Sequence, residues 1–242
     1  MRLDVRLTAE AAAAHPPGAT TVLVIDVLRA STTIIAALTS GCRAVVPVAD
    51  VDEARHRARA FGPAAVIAGE RRGEPLAGFD LGNSPLEFTA DRVHGRVVIL
   101  TTSNGTRALL AVRAAAAVGV AALVNLQAAA GWALAQSRDV VAVCAGERGA
   151  LSLEDHVCAG LLMERLLREE PGAELSPAAL EALAAGRRYG KDVARLAEDS
   201  TWARHLTARG RGADVAACLM LDTTTLVPVL APGVDNVVVG SR

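Results

Sequence analysis

Six short apolar runs punctuate the chain before its long C-terminal part: Thr21–Val27, Ala44–Val48, Ala65–Ala68, Val97–Thr101, Ala122–Leu126 and Val140–Cys144. They are continuously apolar rather than alternating, the pattern of parallel strands covered on both faces. Between them, apolar positions at helical spacing predict helices at Ser31–Thr39, Val51–Phe61, Thr106–Ala116 and Leu126–Ala135. Strand and helix therefore alternate as two βαβαβ units with right-handed crossovers. The rhythm then changes. Ser152–Glu169 reads as one long helix with acidic residues in its first turns, and Pro171-Gly172 breaks it. Ser176-Pro177 supplies an N-cap and a first-turn proline for a helix running to Ala185, and Asp192–Arg209 and Ala213–Leu221 continue the helical pattern. Two β-prone runs with two prolines, between Thr223 and Gly240, predict short edge strands. The expected fold is α/β, two tandem βαβαβ units with a mainly parallel sheet and a helical C-terminal segment. The halves divide as residues 1–92 and 93–242, with the tail capping or closing a cleft between them.

The two units are copies. VLVIDVLRAST (Val22–Thr32), AVVPV and AAVIAGERRG in the first are matched by RVVILTTSNGT (Arg96–Thr106), AALVNL and VVAVCAGERG in the second, at offsets of 76 to 78 residues. Each run ends in a polar cluster. In doubly wound sheets, active sites form beyond the carboxyl ends of the strands, which is where these clusters fall.

Composition narrows the class. Hydrophobic residues make up 52% of 242 and charged residues 21%, enough for a substantial core; aromatics are only 2%, so that core is built from Ala, Val and Leu. With 25 basic and 26 acidic residues spread along the chain, no nucleic-acid surface is expected. The four cysteines (Cys42, Cys144, Cys158, Cys218) show neither CxxC nor metal spacing and read as structural thiols of a reducing compartment. The N-terminus lacks a signal-peptide pattern, and the longest apolar run, Ala114–Val124, is too short to span a bilayer. A cytoplasmic protein without membrane partners is expected, with an apolar tail of the kind that pairs subunits into homodimers.

The candidate chemistry sits in the repeated clusters. Asp26 ends the strand VLVID and precedes a Ser/Thr-rich helix start; a carboxylate there can hold Mg²⁺, act as nucleophile, or simply cap the helix. Ser31 and Thr32 at a helix N-terminus suit a phosphate or carboxylate, and Arg29 adds a bidentate donor. Asn104, Gly105 and Thr106 occupy the equivalent place in the second copy, either as an anion cradle or as an ordinary turn with Thr106 as N-cap. Glu70-Arg71 and Glu147-Arg148 repeat, with Glu154-Asp155 close behind. Glu70 and Glu147 either pair with their neighbouring arginines or join Asp26 and Asp155 in a set whose mutual repulsion calls for a divalent cation. Asn83 and Ser84, in the GNSP loop between the copies, offer further donors unless that loop is only a linker turn.

Taken together, VIDVLRASTTI, the GER and GFDLGNSPLE block, TTSNGT and AGERGALSLED closely resemble the 2-phosphosulfolactate phosphatase family of the coenzyme M pathway; Asp214, Asp222 and Val227-Pro228 look familial less specifically. The resemblance implies a Mg²⁺-dependent hydrolase removing phosphate from the 2-hydroxyl of a sulfonated or carboxylated three-carbon acid, at a site between two similar halves. Catalytic roles would fall to Asp26, Glu147 and Asp155. Substrate binding would fall to Arg29, Ser31, Thr32, Arg71, Asn83, Ser84, Asn104, Gly105, Thr106 and Arg148, and metal binding to Asp26, Glu70, Glu147, Glu154 and Asp155. A haloacid-dehalogenase phosphatase is rejected, because the second aspartate it needs is Leu28. An isochorismatase-like cysteine hydrolase, with Cys144 at a strand end, would need a lysine, and the only one is Lys191, outside the repeat. A non-catalytic anionic-metabolite-binding protein is the remaining alternative.

Overall fold

The computed structural model describes residues 1–15, 17–231 and 238–241. Eleven strands form one sheet: β1 (Arg2–Arg6), β2 (Thr21–Ile25), β3 (Ala44–Pro47), β4 (Ala65–Arg71), β5 (Glu74–Pro75), β6 (Val97–Thr101), β7 (Ala117–Ala121), β8 (Val140–Cys144), β9 (Glu174–Leu175), β10 (Val227–Leu230) and β11 (Val238–Ser241). Their spatial order is β5-β4-β6-β3-β11-β10-β7-β2-β8-β1-β9. The helices are α1 (Ala9–Ala14), α2 (Ala30–Thr39), α3 (Val51–Phe61), α4 (Ala90–Val93), α5 (Gly105–Val112) and α6 (Leu126–Ala135), then α7 (Leu153–Glu169), α8 (Pro177–Tyr189), α9 (Leu196–Asp199), α10 (Thr201–Ala208) and α11 (Gly212–Cys218). None of the described helices is long and apolar enough to cross a membrane.

The parallel α/β architecture matches the continuously apolar runs, because both faces of the sheet are covered. Along β2, Leu23 and Ile25 enter one core with α6, α7 and α8; Val22 and Val24 enter a second core with residues of α2 and α5. Helix α2 has eight buried residues of ten, as expected of a helix apolar on nearly every side.

The strand order interleaves the copies. β2, the first strand of copy one, lies between β7 and β8 of copy two; β6, the first strand of copy two, lies between β3 and β4 of copy one. The β10–β11 hairpin joins the two blocks through antiparallel pairings on both sides, so the blocks run in opposite senses along the ladder. Six steps separate β2 from β4, and a twist of about 20–25° per step accumulates to roughly 120–150°. The carboxyl ends of the two blocks meet, since Asp26 after β2 and Glu147 after β8 share one cleft with Glu70 of β4 and Ser103 after β6.

Three expectations are corrected. The strand expected at Ala122–Leu126 lies earlier, at Ala117–Ala121, because the Asn125 side chain ends it. Asn125 Oδ1 accepts from the Ala122 N–H (2.9 Å), and its amide donates to the carbonyls of Val120 and Leu226 (3.1 Å each). The tail strands are not edge strands but the seam of the sheet; Pro228 is tolerated because β10 meets β7 at a single residue pair. Residues 232–237, which include the second proline of that tail, lie outside the described residues. Sequence periodicity also passed over β1, whose Leu3 and Val5 are buried against β8. The helical pattern expected over Asp192–Arg209 is interrupted at Ser200, whose side chain caps α10.

Candidate active site

A cleft with a volume of about 60 Å³ opens where the carboxyl ends of β2, β4, β6 and β8 converge. Of the residues singled out by sequence, Asp26, Arg29, Glu70, Asn83, Asn104, Glu147 and Arg148 line it; Leu28, Arg72, Gly73, Ser103 and Trp202 join them.

Asp26 is both cap and cleft residue. Its Oδ1 accepts from the Ala30 N–H (3.1 Å) while its own N–H donates to Ser31 Oγ (2.9 Å), so the two residues lock the start of α2. Burial raises its carboxyl to about 7, with the charges of Glu70 and Glu154 adding to the rise and the Ala30 N–H and Arg29 opposing it. Behind it lies Gly105, the first residue of α5; a Cβ there would sit 2.5 Å from Asp26 Oδ2. Glycine is required by close approach, not by its backbone angles. In the second copy Thr102 and Thr106 exchange the same kind of bonds, each hydroxyl accepting from the other's N–H at 3.1 Å.

Several predicted donors are spent inside the walls. Ser31 donates to the Val24 carbonyl and Thr32 to that of Val27 (3.3 and 3.0 Å). Asp155 accepts from the N–H groups of Val27 (2.8 Å) and Gly146 (3.3 Å), tying the ends of β2 and β8 together, and burial pushes its carboxyl well above the usual range. Glu154 accepts from Ser200 Oγ (2.7 Å), and burial raises it too. Ser84 donates to Asp214 (2.6 Å). None of these lines the cleft, nor does Gly105 or Thr106.

The arginines show where the repeat misleads. Arg71 donates to the Glu70 carbonyl (2.7 Å) and to Thr101 Oγ1 (2.9 Å), away from the cleft. The cleft residue is Arg72. It and Gly73 are the central pair of the tight turn between β4 and β5, with φ of 55° and 85°. Arg148 and Gly149 form the matching turn, with φ of 50° and 76°, closed by reciprocal Glu147–Ala150 bonds of 2.9 Å. Positive φ at both central residues is the type I′ pattern. Arg72 therefore corresponds to Arg148, and Arg71 is the one extra residue in AGERRG. The Arg-Gly pair at an offset of 76, equal to that of Asp26 and Thr102, was the available signal.

Glu70 braces the first turn: its carboxylate accepts from the N–H groups of Gly73 and Ser103 (2.6 Å each) and from Ser103 Oγ (3.2 Å). Glu147 has no such bonds among the described contacts and faces the cleft half-buried. Trp202 arrives from α10, its indole N–H donating to the Leu28 carbonyl (3.0 Å); the C-terminal segment does close one side of the cleft. Cys144 is fully buried, and burial drives its thiol well above the usual range, unlike a nucleophile.

Among the described residues no three acidic, histidine or cysteine side chains converge as a metal cluster. The five-carboxylate set is thus split between cleft and wall. The oxygens left at the cleft nonetheless suit magnesium, which is content with one or two carboxylates and retains water. Among the described residues, Asp26 Oδ2 takes no hydrogen bond, Glu147 is unbraced, and Asn83 Oδ1 is buried without a partner. An orphaned amide oxygen beside carboxylates is the donor set a hard cation completes.

Fold and site together define an α/β protein with a strand-end cleft in which arginines on paired turns face carboxylates. The chain belongs to the 2-phosphosulpholactate phosphatase family, whose model matches residues 7–233. It is 36% identical over 218 residues to a probable 2-phosphosulfolactate phosphatase of Thermotoga petrophila, covering 88% of this chain and 90% of the relative. The protein of the same name from Clostridium acetobutylicum is 33% identical over 233 residues (96% and 99%), and that from Symbiobacterium thermophilum 39% over 213 residues (87% and 91%).

Proposed function

We propose that the protein is a Mg²⁺-dependent phosphatase that converts 2-phospho-3-sulfolactate, or a closely related 2-phosphorylated hydroxy acid, to the 2-hydroxy acid and phosphate. The observation that carries this reading is the meeting of Arg29, Arg72 and Arg148 with Asp26, Glu147 and the unpartnered Asn83 oxygen in one cleft. A three-carbon acid bearing phosphate, carboxylate and sulfonate presents three anionic groups, and three guanidiniums are available to receive them.

In this reading Arg29, fixed at the base of the cleft, orients the phosphoryl group, while the two turn arginines hold the carboxylate and sulfonate. Water attacks phosphorus, the bond from phosphorus to the ester oxygen breaks, and that oxygen leaves with a proton as the 2-hydroxyl. Asp26, through Oδ2, orients the water. The arginines take up charge on the phosphoryl oxygens. Asp26, Glu147 and Asn83 would hold the cation, which when bound would further neutralise the phosphoryl charge.

The test is phosphate release from 2-phospho-3-sulfolactate and from 2-phospholactate, with Mg²⁺ and with EDTA. Mg²⁺-dependent release supports the reading, and the ratio of the two rates reports whether the sulfonate is recognised. Absence of release from both substrates rejects it. A place for this chemistry in coenzyme M synthesis and a cytoplasmic setting for it are parts of the same proposal.

A further inference from the structure

Arg29 is the most deeply buried of the cleft arginines, and the chain's C-terminal segment grips it. Its Nη1 donates to Asp214 Oδ2 on α11 at 2.6 Å and its Nη2 to the Gly73 carbonyl at 3.0 Å, with 2% of the Arg29 side chain and 7% of Asp214 exposed. The other Asp214 oxygen is held by Ser84 Oγ at 2.6 Å. The preceding residue is gripped too, since the Trp202 indole donates to the Leu28 carbonyl. A guanidinium carries five N–H donors. Two are committed to protein among the described residues, so three remain, on a group that lines the cleft.

We propose that Asp214, supplied from outside the repeat, is a positioning residue that aims the free donors of Arg29 at the anion in the cleft. Without this clamp the side chain has several rotatable bonds and no reason to keep one orientation. Gly73 alone does not fix the plane of the fork, because a single bond leaves rotation about its own axis. The Ser84 bond fixes Asp214 in turn, so the GNSP loop acts on the site at one remove. The inference rests on the reading of the cleft as a phosphate-binding site, but not on turnover.

The test is calorimetric affinity of the full chain for inorganic phosphate, with melting temperature as a folding check. Asp214→Ala should weaken phosphate binding about tenfold or more, the order expected for misdirecting hydrogen bonds from a charged donor. Asp214→Asn, which keeps an oxygen for Nη1, should restore affinity to within about threefold of the parent. On an Arg29→Met background, Asp214→Ala should cause no second loss. Ser84→Ala leaves the ion pair, and with it the fold, in place, and should give a smaller loss confined to chains that retain Arg29. Equal losses with and without Arg29 would show Asp214 to be merely structural. A parent chain that does not bind phosphate would equally overturn the inference. Phosphate binding without phosphate release would reject the phosphatase reading and leave this one standing.

Discussion

Gly105→Ala adds one methyl group at the point where the two copies of the repeat touch. The added carbon would lie 2.5 Å from Asp26 Oδ2 and 2.5 Å from the Ala30 Cβ, against about 3.4 Å for ordinary contact, so the starts of α2 and α5 must part by about 1 Å. Overpacking of this kind costs roughly 1–3 kcal/mol. The gain in helix propensity, at most about 1 kcal/mol, offsets part of it. At about 2–4 °C per kcal/mol for a chain of this size, the melting temperature should fall by several degrees, leaving the protein folded at room temperature. Displacement of a substrate-orienting group by 1 Å is worth about 100-fold in rate. The assay is kcat/KM for phosphate release beside a thermal melt. Gly131→Ala is the control: the position is exposed within α6 with nothing within 4 Å of the added carbon, so it should stabilise by about 0.5–1 kcal/mol without touching activity. A Gly105→Ala enzyme with parental kcat/KM would refute the argument that Asp26 is held in place by close approach to α5.

Asp26→Asn should abolish phosphate release while the protein stays folded; full activity would remove Asp26 from the chemistry. Arg72→Ala should raise KM about tenfold or more with little change in melting temperature, whereas Arg71→Ala should lower the melting temperature and leave KM within about threefold. The reverse pattern would return the binding role to Arg71. For Asp222, burial alone would raise the carboxyl, but Arg165 and the Gln127 N–H outweigh it and hold the value below normal. A folded-state pKa below the unfolded one gives stability that is present above pH 4 and lost as pH falls through the lowered value. Asp222→Asn should therefore lower the melting temperature at pH 7, with the difference shrinking as pH falls below 4; a constant difference would contradict it. Gly160→Ala should be among the most damaging small changes, by about 3 kcal/mol or more, because its Cβ would fall 1.8 Å from the Ala182 carbonyl oxygen where α7 crosses α8. A melting temperature within 2 °C of the parent, about the shift from 1 kcal/mol, would disprove that crossing.

The alternation of strand and helix was legible because strands buried on both faces must be continuously apolar. The same property hid the limits of β7. Ala114–Val124 is uniformly apolar, and nothing in its period distinguishes five residues from the next five; the choice falls to Asn125 and to Gly119, where a Cβ would collide with Trp132. The chemistry-bearing residue types at strand ends were readable as a cluster. Their division into cleft and wall was not, since it depends on tertiary contacts: backbone N–H groups occupy both oxygens of Asp155 but only one of Asp26. The added residue in AGERRG turned Arg71 inward and Arg72 outward, which only the turn geometry reveals. Trp202 and Asp214 come from a segment without internal counterpart, where no repeat could flag them.

The interleaved strand order has a bearing on how such a chain can assemble and how it can have arisen. Because β2 must lie between β7 and β8, and β6 between β3 and β4, neither copy can complete its own sheet first. Assembly has to wait for pairings between residues far apart in sequence, the kind that slow folding. Expressed as separate pieces, the copies should depend on each other for any structure and recover it on mixing. The same exchange of first strands, made between two identical chains, would give a symmetric swapped dimer of a single βαβαβ unit. Fusion of two such genes would preserve the exchange within one polypeptide, and one copy could then keep its aspartate at the end of the first strand while the other traded it for Thr102.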